Sequence, residues 1–223
     1  MQHAPLGDTA VVMTLGNVFK ETTLARVRAL AAHLERNPPP GVVEVVPAFG
    51  TVTVIYDPVR MHDFAALCDE LRRCAERIKP VKARELRTVV IPVCYGGEFG
   101  PDLAAVAAKA RLSEAAVIAL HAKPCYWVQA VGFTPGFPYL GRLPVKLHMP
   151  RHATPRVRVE AGSVGIGGEL TGIYPAATPG GWQIIGRTPI NLFQPDAAEP
   201  ALLHMGDRVS FKPISKEEFA AWK

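Results

Sequence analysis

The stretch from residue 132 to residue 193 is dense in glycine and proline, yet short β-type segments interrupt it. It holds 11 of the chain's 19 glycines and 8 of its 21 prolines, together with six aromatic residues. Glycine permits tight corners and close backbone approach, whereas proline fixes φ and cannot donate to a sheet ladder. A disordered segment would lack this many aromatic and branched residues. The stretch therefore predicts a tightly cornered β-sheet with shaped loops.

The composition is that of a globular protein, with 48% apolar and 20% charged residues in a chain of 223. That length suffices for one large domain or for two small ones. No run approaches the roughly 18 apolar residues that a membrane helix needs, and the first ten residues lack the features of a secretory signal. The four cysteines form no CxxC pair, so we expect reduced thiols and a cytoplasmic protein. The formal net charge of +5 suits an anionic small ligand about as well as nucleic acid.

Residues 1–84 are predicted to form a separate α+β domain. Their apolar patterns predict elements in the order β-α-β-β-α, at residues 11–15, 24–34, 42–48, 51–56 and 64–78. This order favours a small ferredoxin-like α/β sandwich. The polar residues 79–84 show no periodicity, so we expect a linker there.

Residues 85–223 are predicted to form a second, β-rich domain. The expected elements are a strand at 88–95, helices at 101–110 and 113–122, a strand at 125–131 and a final strand pair over 202–211. The two helices have the lengths of a helix-turn-helix, but a recognition helix must present Arg, Lys, Asn or Gln to base edges. The second helix instead offers Ala, Val, Ile and Leu, so we expect a core helix and no nucleic-acid partner.

Several sequence patterns of known chemistry are incomplete in this chain. His148 and His152 are four residues apart, but Pro150 between them disfavours the helix that would align two metal ligands. The sequence contains no GxxxxGKS or GxxxxGKT phosphate loop. Residues 165–170 resemble a dinucleotide fingerprint, but Leu170 occupies the position of its third glycine. We therefore predict no metal site and no standard nucleotide cradle.

Candidates for covalent or acid–base catalysis are few. Ser163 lies in AGSVG rather than in GxSxG, so we expect it at a turn and not on a nucleophile elbow. His121 is predicted at the end of a helix, where it could be a capping or core histidine or an acid–base group. His121 is the one catalytic candidate that these residues supply.

A basic and aromatic set within residues 132–193 gives the clearest indication of a binding site. Its arginines are Arg151, Arg156, Arg158 and Arg187, and its aromatic members are Phe133, Phe137, Tyr139, Tyr174 and Trp182. Arginine can bind a carboxylate or phosphate through two hydrogen bonds, and aromatic walls exclude water around such a pair. The same residues could instead fill a small barrel and decorate its rim. Both interpretations are compatible with the residues alone.

Motifs in the same region are similar to those of one known family. Residues 132–140, GFTPGFPYL, resemble the GFxPGFxYL signature of the KipI / allophanate-hydrolase small-subunit family. Further matches, in chain order, are residues 92–97, 150–151, 154–156, 159, 161–166, 171–175, 178–182, 185–189 and 206–209. So many motifs in the same order make the resemblance specific, and it covers essentially the whole chain.

The resemblance implies a fold, an activity and partners. The implied fold is an N-terminal α+β domain, residues 1–84, followed by a cyclophilin-like β-barrel domain, residues 85–223. The implied activity is that of one subunit of a heteromeric, ATP-dependent 5-oxoprolinase, which opens the lactam of 5-oxoproline to give glutamate. The implied partners are the other two components of that enzyme: the C subunit, which is a paralogous second barrel, and the A subunit. ATP is then used by the complex and need not be bound by this chain.

The family also implies two other functions. One is inhibition of a sensor histidine kinase through the barrel surface. The other is a carboxyltransferase or allophanate-hydrolase type of subunit that acts on a urea-like substrate.

The matched motifs and the residue chemistry predict a site for substrate and anions. Its predicted members are Phe133, Pro135, Gly136, Phe137, Tyr139, Arg151, Arg156, Thr171, Tyr174, Gly180, Gly181, Trp182 and Arg187. Arg151, Arg156 and Arg187 are expected to hold the anionic groups. The family usually has glutamine in GGQTGIYP where this chain has Leu170. This departure predicts either a core position for Leu170 or altered contacts with the substrate.

Overall fold

The structure is a computed structural model that describes residues 2–61, 63–79 and 87–222. The chain divides into two compact units, represented by residues 2–79 and 87–222 of the described ranges. The predicted boundary between residues 84 and 85, and the predicted linker beyond Lys79, lie outside the described residues. In the described part of the chain no helix has both the length and the apolar character needed to cross a membrane.

The first unit consists of one antiparallel sheet and two helices. Its elements are β1 (Gln2–Leu6), β2 (Ala10–Thr14), α1 (Glu21–Arg36), β3 (Val42–Ala48), β4 (Thr51–Tyr56) and α2 (Phe64–Arg77). The sheet order is β1-β2-β4-β3. Strand β1 is not among the predicted elements, because all five of its residues are exposed and show no apolar alternation. It is held by pairing with β2, from Gln2 opposite Thr14 to Leu6 opposite Ala10.

The core of the first unit follows the predicted periodicity. One face of α1 buries Leu24, Val27 and Leu30, at the helical spacing expected for a half-buried helix. Strand β4 alternates, so Val52 and Val54 are buried and the residues between them are more exposed. The helices and the sheet therefore bury their apolar faces within this unit, as an α+β domain requires.

The second unit is built around a closed seven-strand barrel. The strands of the whole unit, including two outside the barrel, are β5 (Thr88–Tyr95), β6 (Cys125–Val131), β7 (Pro138–Gly141), β8 (Arg156–Val159), β9 (Ser163–Gly167), β10 (Leu170–Ile173), β11 (Thr178–Gly180), β12 (Gln183–Arg187) and β13 (Arg208–Pro213). Its helices are α3 (Leu103–Ala110), α4 (Glu114–Ala122) and α5 (Lys216–Ala220). The barrel order is β10-β7-β6-β13-β5-β12-β9, and β8 pairs with β11 in a separate two-stranded sheet. The architecture is consistent with the cyclophilin-like barrel that the resemblance implies.

Of the strand pair predicted over residues 202–211, the second strand is present and the first is wrong. A single strand, β13, begins at Arg208, and the residues before it form a loop. Gly206 has a φ of 88°, and the Asp207 carboxylate accepts the backbone N–H of His204 at 2.9 Å. The loop is thus closed by side-chain hydrogen bonding rather than by a second strand.

Alternation along the barrel strands separates an inner face from an outer face. The inner face carries Leu140, Val164, Ile166, Ile173 and Ile185, which join one buried cluster. Leu103 and Val106 of α3 and Val117 of α4 pack into the same cluster, so both are core helices, as was predicted for α4. The intervening strand residues face outward, and on that outer face lies a second, aromatic cluster.

Candidate functional site

An aromatic pocket of about 300 Å³ lies on the outer face of the barrel. It is lined by Phe133, Phe137, Tyr139, Arg151, His152, Pro155, Tyr174, Pro179, Gly180, Gly181 and Trp182. These residues come from the loop before β7, the segment before β8, and the segments around β11. The predicted site residues in this pocket are Phe133, Phe137, Tyr139, Arg151, Tyr174, Gly180, Gly181 and Trp182.

Phe137 is the centre of the pocket wall. Its ring makes edge-to-face contacts with Tyr139, Tyr174 and Trp182, at centroid distances of 4.9, 5.1 and 5.5 Å. Such contacts are favoured by the ring quadrupoles and hold the rings in defined orientations. Phe137, Tyr174 and Trp182 are buried and give the pocket a preformed apolar wall.

Glycines in the barrel strands make room for these rings. A Cβ atom on Gly167 would lie 2.6 Å from the Trp182 ring, and one on Gly172 would lie 2.8 Å from the Phe137 ring. Any larger residue at either position would displace an aromatic side chain. Part of the glycine density of residues 132–193 is thus explained by close approach of side chains to strands, and not by turns.

Phe133 stands at the exposed side of the pocket wall. Its ring contacts Phe137 edge to face at 5.5 Å, yet 62% of the residue is exposed. Its backbone φ is 72°, in the left-handed region that bulky residues seldom occupy. A strained backbone of this kind is found more often at ligand-binding positions than elsewhere.

Arg151 supplies positive charge to the pocket. Its guanidinium carbon lies 5.9 Å from the centre of the Trp182 ring, within the range of a cation–π contact. In residues 2–61, 63–79 and 87–222, no carboxylate forms an ion pair with Arg151. The guanidinium is therefore available for an anionic group of a ligand.

Arg156, in contrast, is bound to the carboxylate of Asp102, which no motif marks in the sequence. Arg156 Nη2 donates to Asp102 Oδ1 at 2.7 Å, and the backbone N–H of Ile184 donates to Asp102 Oδ2 at 2.6 Å. Burial would raise the pKa of Asp102, but the hydrogen bonds from Arg156 and Ile184 outweigh burial and hold this pKa below its ordinary value. Arg156 thus neutralises a buried acid beside the pocket.

His152 links this ion pair to the pocket. Its Nε2 atom lies 2.9 Å from Arg156 Nη1 and 3.3 Å from Asp102 Oδ2. We refer to Asp102, His152 and Arg156 as the pocket-edge cluster. His148, the other histidine considered as a metal ligand, has a different partner, because its Nε2 lies 3.0 Å from the Leu143 carbonyl. Within this cluster only Asp102 is unmarked by any motif, and its position just before α3 is its one distinguishing feature in the sequence.

Three other predicted site residues lie away from the pocket. Arg187 Nε donates to the Ala161 carbonyl at 2.8 Å, and Arg187 lines a separate, more open cavity of about 620 Å³. Pro135 and Gly136 form the turn before β7, where Gly136 has a φ of 81°. The three predicted anion-binding arginines are therefore not brought together: Arg151 is in the pocket, Arg156 is paired beside it, and Arg187 is elsewhere.

His121 and Thr171 are inside the barrel rather than in the pocket. Thr171 Oγ1 donates to the Gly165 carbonyl at 2.9 Å, so it must accept from His121 Nε2, also at 2.9 Å. The other ring nitrogen, Nδ1, then accepts from the Tyr95 hydroxyl at 2.8 Å. Burial lowers the pKa of His121 to about 3, so the ring is neutral. This placement favours the core role for His121 over the acid–base role.

Leu170, the departure from the family motif, faces the aromatic cluster. It is partly buried and packs with Tyr139 against the cluster of Phe137, Tyr174 and Trp182. The neighbouring Glu169 pairs with Arg142 Nε at 2.8 Å. Leu170 therefore extends the apolar wall behind the pocket, where an amide would have added a polar group.

The chain with this barrel and pocket belongs to a class of carboxyltransferase-related proteins, because residues 1–203 match the family described as "Carboxyltransferase domain, subdomain C and D". The structure called TTHA0988 is 40% identical, with a TM-score of 0.79 over 92% of this chain, and this chain spans 40% of its length.

Two curated relatives extend over nearly the whole chain. The 5-oxoprolinase B subunit of Escherichia coli O157:H7 is 48% identical over 93% of this chain and 94% of its own length. The 5-oxoprolinase B subunit of Bacillus subtilis is 42% identical over 100% of this chain and 96% of its own length. The chain therefore belongs to the family of 5-oxoprolinase B subunits, which confirms the resemblance stated from the motifs.

Proposed function

We propose that this chain works as the B subunit of a heteromeric, ATP-dependent 5-oxoprolinase and that its aromatic pocket binds the lactam substrate. One observation carries the proposal. The Arg151 guanidinium lies beside a preformed aromatic wall, and no carboxylate of the described residues forms an ion pair with it. The substrate 5-oxoproline is a small, nearly flat ring that bears one carboxylate. A pocket with one cation and apolar walls matches that chemistry.

The residues of the pocket have separate roles in this proposal. Arg151 binds the substrate carboxylate, and the rings of Phe137, Tyr174 and Trp182 contact the apolar faces of the lactam. The preformed apolar walls exclude water from the bound substrate and so strengthen the charge interaction with Arg151. Arg156 and Arg187, which we predicted to bind anions, have no direct role in this arrangement.

The proposal includes partners and ATP. The C subunit, a second barrel of related sequence, and the A subunit would complete the enzyme, and this chain alone would be inactive or nearly so. ATP would be used by the complex and need not be bound by this chain, whose sequence contains no GxxxxGKS or GxxxxGKT phosphate loop. Because hydrolysis draws on the cytoplasmic pool of ATP, we place the complex in the cytoplasm.

We also propose that the first unit is a ferredoxin-like variant. A ferredoxin-like sheet has the strand order 4-1-3-2. The order here, β1-β2-β4-β3, matches it if β2, β3 and β4 correspond to the first, second and third strands of that fold and β1 occupies the edge position of the fourth. The antiparallel pairing of β1 with β2 supports this correspondence.

Reconstitution tests the function. The three subunits would be purified separately, and ATP hydrolysis stimulated by 5-oxoproline would be measured with and without this chain. We expect stimulation only in the complete mixture, with release of glutamate. Stimulation of equal size without this chain would contradict the proposal.

Two further arms of the experiment address the other functions that the resemblance implies. Stimulation by urea but not by 5-oxoproline would favour a carboxyltransferase or allophanate-hydrolase type of subunit. Recovery of a sensor histidine kinase in a pull-down, without a second barrel protein, would favour a kinase inhibitor.

A methyl group added at Gly181 tests whether the pocket is the substrate site. The Cβ atom of Gly181→Ala would lie at ordinary contact distance, 3.7 Å from Pro155 Cγ and 3.8 Å from Arg151 Cβ. We therefore expect the variant to fold normally and to bind 5-oxoproline about 3- to 10-fold more weakly, since it occupies part of the pocket. Isothermal calorimetry on the assembled complex measures the Kd.

Two other glycines serve as controls for that substitution. Gly132→Ala adds a methyl group with no atom within 4 Å and should leave the Kd unchanged. Gly180→Ala would place Cβ 2.5 Å from the Tyr174 hydroxyl and should disturb the pocket wall itself. Unchanged affinity in Gly181→Ala would place the substrate elsewhere.

A further inference from the structure

We propose that His152 presents a neutral Nδ1–H donor to the aromatic pocket and so selects ligands that carry a carbonyl oxygen as well as a carboxylate. The inference rests on the proposed function, because it names the residue that would recognise the lactam carbonyl. It also assigns a role to the pocket-edge cluster, which the binding of a carboxylate by Arg151 does not require.

The tautomer of His152 follows from the surroundings of its Nε2 atom. Arg156 Nη1 lies 2.9 Å from Nε2, whereas Asp102 Oδ2 lies 3.3 Å from it. An arginine nitrogen can only donate, so the shorter contact requires Nε2 to accept. Asp102 Oδ2 already accepts the Ile184 N–H at 2.6 Å. The neutral ring must then carry its proton on Nδ1.

The Nδ1 edge of the ring is the part that remains for a ligand. Within residues 2–61, 63–79 and 87–222, Nδ1 of His152 has no hydrogen-bond partner. The side chain is 31% exposed, and His152 lines the aromatic pocket. Its chain neighbour Arg151 lines the same pocket. The pocket thus offers one cation and one neutral donor, which together match a carboxylate and a carbonyl on the same small molecule.

The pocket-edge cluster holds this donor in place. Arg156 binds Asp102 through Nη2 and His152 through Nη1, so the guanidinium joins the buried acid to the ring. Asp102 and Arg156 are therefore positioning residues that act through His152. When the lactam opens, negative charge develops on its carbonyl oxygen, and a donor already oriented toward that oxygen stabilises the charge.

Two substitutions separate the two edges of the ring. Asparagine in place of His152 keeps an N–H near the former Nδ1 position and loses the contact with Arg156. Glutamine keeps an acceptor near the former Nε2 position and loses the Nδ1–H donor. In the assembled complex, calorimetry would give the Kd of 5-oxoproline and of cyclopentanecarboxylate, which keeps the ring and the carboxylate but lacks the carbonyl.

We expect His152→Gln to weaken 5-oxoproline binding about tenfold, which is the effect of one lost hydrogen bond. Binding of cyclopentanecarboxylate, which makes no such bond, should change less than about twofold. His152→Asn should retain most of the preference for 5-oxoproline. The inference is overturned if His152→Gln keeps the preference, or if both variants weaken both ligands equally. A wild-type complex that binds neither ligand would overturn the proposed function as well, and the wild-type titration distinguishes that case.

Discussion

Replacing Arg151 with alanine is expected to lower kcat/KM for 5-oxoproline in the assembled complex by roughly 10- to 100-fold. The reason is that Arg151 is the cation of the pocket, and its guanidinium, unlike that of Arg156, is not paired with a carboxylate among the described residues. Lysine at this position should restore only part of the loss, because it lacks the planar, two-pronged geometry of arginine. ATP hydrolysis measured against 5-oxoproline concentration gives kcat and KM separately.

Arg158 provides a matched control for that substitution. It is an exposed arginine in the same segment, but its guanidinium is bound to Glu160, with Nε 2.6 Å from Oε1. Arg158→Ala removes the same charge outside the pocket and should change kcat/KM less than about twofold. If Arg151→Ala and Arg158→Ala behave alike in complexes that assemble fully, the substrate carboxylate is not bound by Arg151.

The barrel could be predicted largely from local patterns. Strands such as β5 and β6 have apolar residues that mark them in the sequence, and the motif at residues 132–140 identified the family. Strand β1 could not be found in this way, because its five exposed residues are held only by pairing with β2. A strand of that kind depends on its neighbour and not on its own apolar pattern.

The site was harder to predict than the fold, because charge pairing depends on contacts distant in sequence. The sequence marks Arg151, Arg156 and Arg187 as equivalent, but only the folded chain brings Asp102 to Arg156, 54 positions away. Alternation also assigns side chains to opposite faces of the barrel. Thr171 therefore points inward to His121, while the adjacent Leu170 packs against the aromatic cluster outside.

Among the substitutions proposed for this protein, truncation of His121 to alanine should cause the largest loss of stability, roughly 3–5 kcal/mol of unfolding free energy. The substitution leaves a cavity in the barrel core, where the His121 ring stacks on Phe211 at 4.6 Å. It also leaves the buried hydroxyl of Tyr95 without the acceptor that it now has at 2.8 Å, and unpaired buried donors are costly. Urea unfolding followed by tryptophan fluorescence would measure the loss.

The fluorescence signal reports on the second unit alone. All three tryptophans of the chain, Trp127, Trp182 and Trp222, lie in that unit. His3→Ala, at an exposed position in β1 of the first unit, should leave the transition unchanged. A His121→Ala transition that coincides with that of the wild type would show that the buried network contributes little to the barrel.

The same histidine should make the stability of the barrel depend on pH in a defined window. In the unfolded chain an imidazole takes up a proton near pH 6.5, whereas the pKa of His121 in the folded barrel is about 3. Between these values the unfolded state binds more protons, so the unfolding free energy falls as the pH falls, and the full contribution is present above pH 6.5. His121→Gln cannot titrate and should show a shallower decline over that window. Asp102, whose pKa lies below its ordinary value, affects stability only at the acid end of the range and is present in both proteins. Parallel pH profiles for wild type and His121→Gln would therefore mean that the folded barrel admits a protonated His121.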